Sequence, residues 1–291
     1  MSDTFNVSVI IPILATQNSV QNLNQSIKNI LDSKLNAQIV VIIDNHPGDS
    51  VSSEVQSLHQ KNGLEIYSGN FGSPGAARNF GLTKSNRDWI WFVDSDDLLN
   101  PSALASIIHL ENLDNFEIIV GEFDVRSLDT QLTQRIPGTT LEAVAMNPGL
   151  WRHIFRKKIL PVDPFPLYRM GEDQFFLARG YANSFSILRI NESIYTYFTG
   201  GLGNLTSNPE ARNELFRATK EFRSEFIRKK SGENVLAYRM YTRQVITILK
   251  YLKLRLKIEA LVEFLWTCLM KPSLIPNAAS VVRSLVVKGE K

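Results

Sequence analysis

The sequence predicts an α/β fold: a mostly parallel central sheet flanked by helices, followed by a helical C-terminal extension. Two observations carry this. Through the first 120 residues, short runs of branched and aromatic residues alternate with segments whose apolar positions recur at helical spacing, as expected for βαβ units whose strands are covered on both faces. From Asn208 onward the pattern is helical and basic, with no repeat or low-complexity tract. The expected division is an α/β domain over 1–207 and a basic helical region over 208–291.

In order, Val7–Ile13 reads as a buried strand with Pro12 near its end, where a missing N–H costs least. Asn18–Ser33 carries Val20, Leu23, Ile27, Ile30 and Leu31 on one helix face. Gln38–Ile43 is a second strand ending at Asp44 and the turn-forming run Asn45–Ser50. Ser50–Lys61 reads as a helix and Leu64–Tyr67 as a short strand. Glycines and Pro74 then lead into a helix carrying Arg78 and Asn79. Trp89–Val93 is a strand buried on both faces, followed by a helix over Pro101–Leu113 and a strand over Glu117–Phe123. Arg126–Gly138 reads as a hairpin or loop, and Asn147–Lys158 as a helix. Leu160–Tyr168, with three prolines, reads as an irregular crossing. Gly171–Asn183 is a helix opening on Glu172 and Asp173, and Phe185–Ile190 closes as a strand. Val235–Met270 fits one long helix or two, because Leu252, Leu254, Leu256 and Ile258 alternate with cations at a strand period. A turn at Lys271-Pro272 and Ile275-Pro276 precedes a last short helix.

A chain of 291 residues with 44% hydrophobic content can bury a substantial core. A lone cysteine, Cys268, excludes an internal disulfide framework and reads as a structural thiol. The start, Met1–Asn6, lacks the basic character of a signal peptide, and the longest apolar stretch, Ala260–Met270, is too short to span a bilayer. The cytoplasm is the expected compartment. Net charge is only +3, yet Ala211–Ile258 holds thirteen Lys or Arg against four Glu, an excess large enough to favour an anionic surface.

Chemistry concentrates at strand ends, where open α/β sheets place their ligands. Asp94, Ser95, Asp96 and Asp97 follow the strand Trp89–Val93 directly. Alone, this run fits either a helix cap ahead of Pro101 or a site for a hard divalent cation. Asp44 fits a turn cap or a ligand contact, and Arg78 fits a structural ion pair or an anion donor near a helix N-terminus. Glu172 and Asp173 fit either dipole-stabilising first-turn acids or an acid–base pair.

Five segments in this order resemble the glycosyltransferase family 2 catalytic domain of the GT-A fold: Ser8–Ile13, Ile42–Asp44, Pro74–Leu82, Phe92–Asp97 and Gly171–Gln174. The resemblance spans roughly Val7–Thr206. It implies an inverting transfer of sugar from a nucleotide-sugar donor, most simply a UDP-sugar, to a glycan or lipid-linked acceptor hydroxyl. By the same resemblance, Pro12, Asp44, Arg78, Asp94 and Ser95 bind the nucleotide. Asp96, with Asp94, holds Mg²⁺ or Mn²⁺; Asp97 is left as a cap; Asp173 is the base, with Glu172 beside it. Tyr195–Thr206 resembles a segment that closes over the diphosphate.

Two departures bear on the base. Leu14-Ala15 replaces a common Tyr-Asn pair, and Asn45–Asp49 replaces an Asp-Gly-Ser loop. They leave room for a non-catalytic GT-A-like nucleotide-binding or scaffold subunit. A nucleotidyltransferase would need a glycine-rich basic loop after the first strand, and none is present. In the basic tail, apolar residues from Phe222 to Trp266 interleave with cations. That pattern suits contact with a membrane surface, packing on the core, or pairing of two subunits as a homodimer. Nucleic-acid binding is not expected, since no recognition module accompanies the charge.

Overall fold

A computed structural model describes residues 5–14, 17–33, 35–45, 64–100, 103, 107, 112–200, 209–228 and 234–289. The expected helix over Ser50–Lys61, the altered loop Asn45–Asp49 beyond its first residue, most of Pro101–Leu113 and residues 201–206 lie outside the described residues.

The strands are β1 (Asn6–Leu14), β2 (Asn36–Asp44), β3 (Glu65–Gly69), β4 (Trp89–Phe92), β5 (Leu98–Leu99), β6 (Ile118–Ser127), β7 (Thr133–Ile136), β8 (His153–Arg156) and β9 (Ile187–Thr199). The helices are α1 (Gln17–Asp32), α2 (Pro74–Lys84), α3 (Leu141–Met146), α4 (Glu172–Asn183), α5 (Pro209–Phe222), α6 (Val235–Tyr251), α7 (Leu254–Met270) and α8 (Leu274–Gly289). A π-helical turn, Arg223–Arg228, continues α5.

The chain divides into two compact units. The first comprises 1–139, 149–167 and 179–202; the second comprises 140–148, 168–178 and 203–291. Among the described residues, nine strands fall in the first unit and form one sheet in the order β3-β2-β1-β4-β8-β6-β9-β5, with β7 paired to β6. Its N-terminal half, β3 to β4, is parallel throughout. The second half is mixed: β8 is antiparallel to both β4 and β6, whereas β9 runs parallel to β6. Branched and aromatic residues make these strands because both faces are covered. Val7, Ile10, Val41, Ile42, Ile90 and Trp91 are all completely buried. Helix α2 lies so close to the sheet that a Cβ at Gly81 would stand 2.5 Å from Ile10 Cγ2. Only glycine permits that approach.

Three elements differ from the sequence expectation, among them the turn expected at Ile275-Pro276, which lies inside α8. Asn147–Lys158 is not a helix: α3 ends at Met146, and Pro148-Gly149 leads into a single 3₁₀ turn, Leu150–Arg152, and then into β8. Tertiary pairing overrides helical spacing here, because His153–Arg156 fills the slot between β4 and β6. The closing strand is also longer than expected. Register shifts between Gly121 and Glu122 and between Glu122 and Phe123 absorb Asn191, Glu192 and Ile194, so β9 runs on to Thr199. Residues Tyr195–Thr199 of the expected closing loop are therefore strand. The expected hairpin after Phe123 is present as β6–β7.

The second unit is helical. Leu215, Phe216, Ile248, Leu252 and Ala260 form a core cluster, with Met170 and Leu256 packed against it. The puzzling alternation around Leu252 is a boundary between two helices. Leu252 is buried and takes an extended conformation as the C-cap of α6, while Leu254 opens α7 on the solvent side.

Candidate active site

Parallel pairing brings three strand ends level, with Leu14 opposite Asp44 and Asp44 opposite Gly69. Asp44 Oδ1 accepts from the backbone N–H of Phe71 at 2.7 Å and of Gly72 at 3.2 Å. Gly72 has φ +69°, a conformation glycine adopts without strain. One carboxylate oxygen thus fixes the loop into α2. That helix is capped by Ser73, whose side chain accepts from Ala76 N, and has Pro74 in its first turn.

Helix α2 aims Arg78 at the end of β4. Arg78 Nη2 lies 3.0 Å from Asp94 Oδ1, and its side chain is only 9% exposed. The guanidinium also sits 5.7 Å from the centre of the Phe165 ring. Next to it, Asn79 makes a reciprocal pair with the backbone of Phe165, donating at 2.9 Å and accepting at 3.0 Å. Those two bonds pin the proline-rich crossing against α2.

The loop Asp94–Leu99 is fixed mainly through its backbone. Val93 N donates to Ile10 O, which continues β4–β1 pairing to the edge of the loop. Ser26 of α1 donates to the carbonyls of Asp97 and Ser95, and Asn29 accepts from Leu99 N. From the opposite side, Tyr195 Oη accepts from Asp94 N at 3.1 Å and donates to Asp97 Oδ2 at 2.9 Å. Phe198 N donates to the other oxygen of Asp97 at 2.8 Å. Asp97 is completely buried. Its carboxylate ties the loop to β9; the helix it was expected to cap lies mostly outside the described residues.

With Asp97 committed inward, Asp94 and Asp96 are the carboxylates that face outward. Asp94 is half-buried beside Arg78, and Asp96 is exposed as a residue. Partial withdrawal of its carboxyl from water, followed by the charge on Asp94, raises the Asp96 pKa above the ordinary value. Burial, then Asp94 and Asp96, raises that of Asp97 well above it, despite bonds from Phe198 and Tyr195 that act the other way. A cation beside Asp94 and Asp96 would relieve this repulsion, and oxygen donors suit Mg²⁺ or Mn²⁺. Among the described residues, no three His, Cys, Asp or Glu side chains are gathered as a metal site. Such an ion would complete its shell with phosphate oxygens and water.

Glu172 and Asp173 open α4, in the second unit, with Glu172 buried and Asp173 half-buried. Gly171 precedes them at φ +93°. Their segment is held by unit-two partners. Glu214 accepts from both Arg169 N and Arg169 Nε at 2.7 Å, and Tyr168 donates to Glu221. Phe175 packs edge-on against Phe222 and Phe226. Burial lowers the pKa of Arg243 while the charge of Asp173 partly offsets that, so a guanidinium stands within electrostatic reach of Asp173.

Sequence reasoning missed Ser26, Asn29, Asn79, Phe165 and the hydroxyl of Tyr195 as site-building groups. One signal was present: Ser26 and Asn29 sit three apart among the apolar positions of α1, a pattern that marks polar groups facing a buried partner. Which partner could not be read, since Ser26 and Asp97 are 71 residues apart.

The sequence matches the profile described as Glycosyl transferase family 2 over residues 8–179. It is 24% identical over 266 residues, 81% of this chain and 78% of the relative, to poly(ribitol-phosphate) beta-N-acetylglucosaminyltransferase TarP of Staphylococcus aureus (strain N315). To succinoglycan biosynthesis protein ExoO of Rhizobium meliloti (strain 1021) it is 26% identical over 190 residues, 58% of this chain and 55% of the relative. The crystal structure of S. aureus TarS 1–349 in complex with UDP-GlcNAc matches with TM-score 0.67 and 17% identity, over 96% of this chain and 89% of that one. Mannosyltransferase PcManGT from Pyrobaculum calidifontis, in complex with GDP-Man and Mn2+, matches with TM-score 0.53 and 11% identity, over 96% and 86%. These likenesses establish the GT-A fold. Because the profile spans more than half of the residues, the chain belongs to glycosyl transferase family 2.

Proposed function

We propose that this protein transfers a sugar, with inversion, from a UDP-sugar to a hydroxyl of a glycan or lipid-linked acceptor, in a metal-assisted reaction. The observation that carries the reading is the division of labour after β4. Asp97 is buried and spent on structure, and the loop it fixes presents Asp94 and Asp96 outward beside Arg78. Relatives named as N-acetylglucosaminyltransferases, and a TarS structure holding UDP-GlcNAc, make UDP-N-acetylglucosamine the first donor to test.

In this reading Pro12, Asp44 and Ser95 line the nucleoside, with Asp44 accepting from the base. Arg78 orients Asp94 and offsets its charge. Asp96 and Asp94 would hold a divalent ion, which would supply Lewis-acid neutralisation of the diphosphate leaving group. Asp173 takes the proton of the acceptor hydroxyl as that oxygen bonds to the anomeric carbon and the carbon–diphosphate bond breaks. Attack opposite the leaving group inverts the centre. Glu172 orients the acceptor, and Arg243 supplies positive charge beside Asp173.

Calorimetric titration with UDP, with and without Mn²⁺, followed by a hydrolysis screen of UDP-N-acetylglucosamine, other UDP-sugars and GDP-mannose, tests this. Manganese-dependent UDP binding and turnover of a UDP-sugar support the reading. Failure to bind any nucleotide favours a non-catalytic scaffold, and turnover of GDP-mannose alone reassigns the base.

A further inference from the structure

Helix α7 is inverted for a water-facing helix. Leu254, Ile258, Leu261, Leu265 and Leu269 recur at spacings of four, three, four and four residues, which places them on one face. Each is an exposed large hydrophobic residue; Leu254 is 71% exposed, Leu269 73%, and neighbouring Trp266 60%. Helix α8 adds exposed Val282 and Val286. Of the apolar residues that interleave with cations in the sequence, Phe222, Ile227, Tyr238 and Leu252 are instead buried. The exposed apolar surface is therefore concentrated on these two helices. Patches of this extent on soluble proteins mark interaction sites.

The charges around the stripe identify what covers it. Lys253, Arg255 and Lys257 lie at its N-terminal end, and Arg283 lies next to Val282. The two acids of α7 are turned to other partners: Glu259 pairs with Lys220, and Glu263 with Lys220 and Arg223. The rim of the stripe is thus cationic. A second copy laid parallel on the stripe would set cations against cations, and an antiparallel one would leave the cationic ends without anionic partners. An anionic lipid surface satisfies both features at once, with leucines and Trp266 entering the headgroup–acyl boundary and Lys and Arg on the phosphates. We propose that the exposed face of α7, extended by α8, docks the protein on an anionic membrane surface as an interfacial, non-spanning contact. No helix among the described residues is long and apolar enough to cross a membrane.

The test is cosedimentation of the full chain with vesicles of phosphatidylglycerol and phosphatidylcholine, compared with phosphatidylcholine alone, at low and high salt. Wild-type protein should bind the anionic vesicles, bind neutral ones at least tenfold more weakly, and weaken as salt rises. The variant Leu265→Ser/Trp266→Ser/Leu269→Ser should lose vesicle binding at least tenfold while keeping its far-UV spectrum, since all three residues are exposed. A second variant, Lys253→Gln/Arg255→Gln/Lys257→Gln, should lose most of the preference for anionic vesicles. The proposal is overturned by absence of binding to anionic vesicles, by binding that the apolar variant leaves unchanged, or by sedimentation velocity showing that the stripe instead joins copies of the chain in solution.

Discussion

Tyr195 donates its phenolic proton to Asp97 Oδ2 at 2.9 Å, with both residues completely buried and 98 positions apart in sequence. The same hydroxyl accepts from Asp94 N. A single oxygen therefore joins the far strand of the sheet to both ends of the acidic loop. Replacing Tyr195 with Phe removes the bond but keeps the ring that stacks on Trp151 at 4.7 Å. It should cost about 1–3 kcal/mol, because two buried groups lose their partner. Urea unfolding measures this, and an unchanged midpoint would mean that water replaces the hydroxyl.

Asp96 and Asp97 are adjacent in sequence but should respond differently to the same substitution. Asp97→Asn places an amide NH₂ against either the Tyr195 hydroxyl or the Phe198 N–H, so it should destabilise by about 1–3 kcal/mol. Asp96→Asn removes an exposed charge that its neighbours oppose. It should leave stability within about 0.5 kcal/mol while abolishing transfer. Thermal melts of the two variants, run beside donor turnover, separate the structural carboxylate from the functional one.

Arg78 neutralises Asp94 from a nearly enclosed position. Arg78→Ala should weaken UDP binding by roughly tenfold or more, given about 1.5–3 kcal/mol for hydrogen bonds to charged groups. Arg78→Lys should recover little, since a point charge on a shorter fork cannot reproduce the contact. Calorimetric affinities within twofold of wild type for both variants would remove Arg78 from the nucleotide site.

The frame around Asp173 lies in the second unit, where Glu214 binds Arg169 through backbone and side chain. Glu214→Ala should lower kcat on the order of tenfold or more, since small misplacements of a catalytic group are costly. Donor KM should stay near the wild-type value. A change confined to KM would show that this contact serves donor binding instead.

His153 gives the fold a pH dependence. It is fully buried, with Nδ1 against Gly149 O at 2.9 Å and Nε2 against Tyr181 Oη at 3.1 Å. Burial first, and Arg152 second, push its pKa down to about 3. The native state keeps it neutral while the unfolded chain protonates it near pH 6.5, so acidification favours unfolding. Stability should fall by about 1.4 kcal/mol per pH unit below pH 6.5 from this residue. Urea titrations at pH 7 and 5 should show that drop, and His153→Gln should flatten it.

The parallel half of the sheet was legible because each strand is a compact run of branched residues closed by turn chemistry, as Ile39–Ile43 before Asp44 shows. The second half was less so. His153–Arg156 carries only two apolar residues, and its identity as a strand comes from the neighbours that pair with it. At the site, the family motifs picked out Asp94–Asp97 as a group, but their separate tasks depend on Tyr195, Phe198 and Ser26, which approach from distant parts of the chain. The apolar face of α7 was hidden for a related reason: periodicity shows that a helix has an apolar side, and only the packed structure shows which side remains exposed.

In the proposed reaction Asp173 is the base. The most direct measurement is the rate of UDP-sugar turnover by Asp173→Asn, on the donor selected by the screen, with UDP affinity followed in parallel. UDP binding should be unchanged and turnover reduced by about 10²–10⁴-fold. Turnover at the wild-type rate would contradict that role.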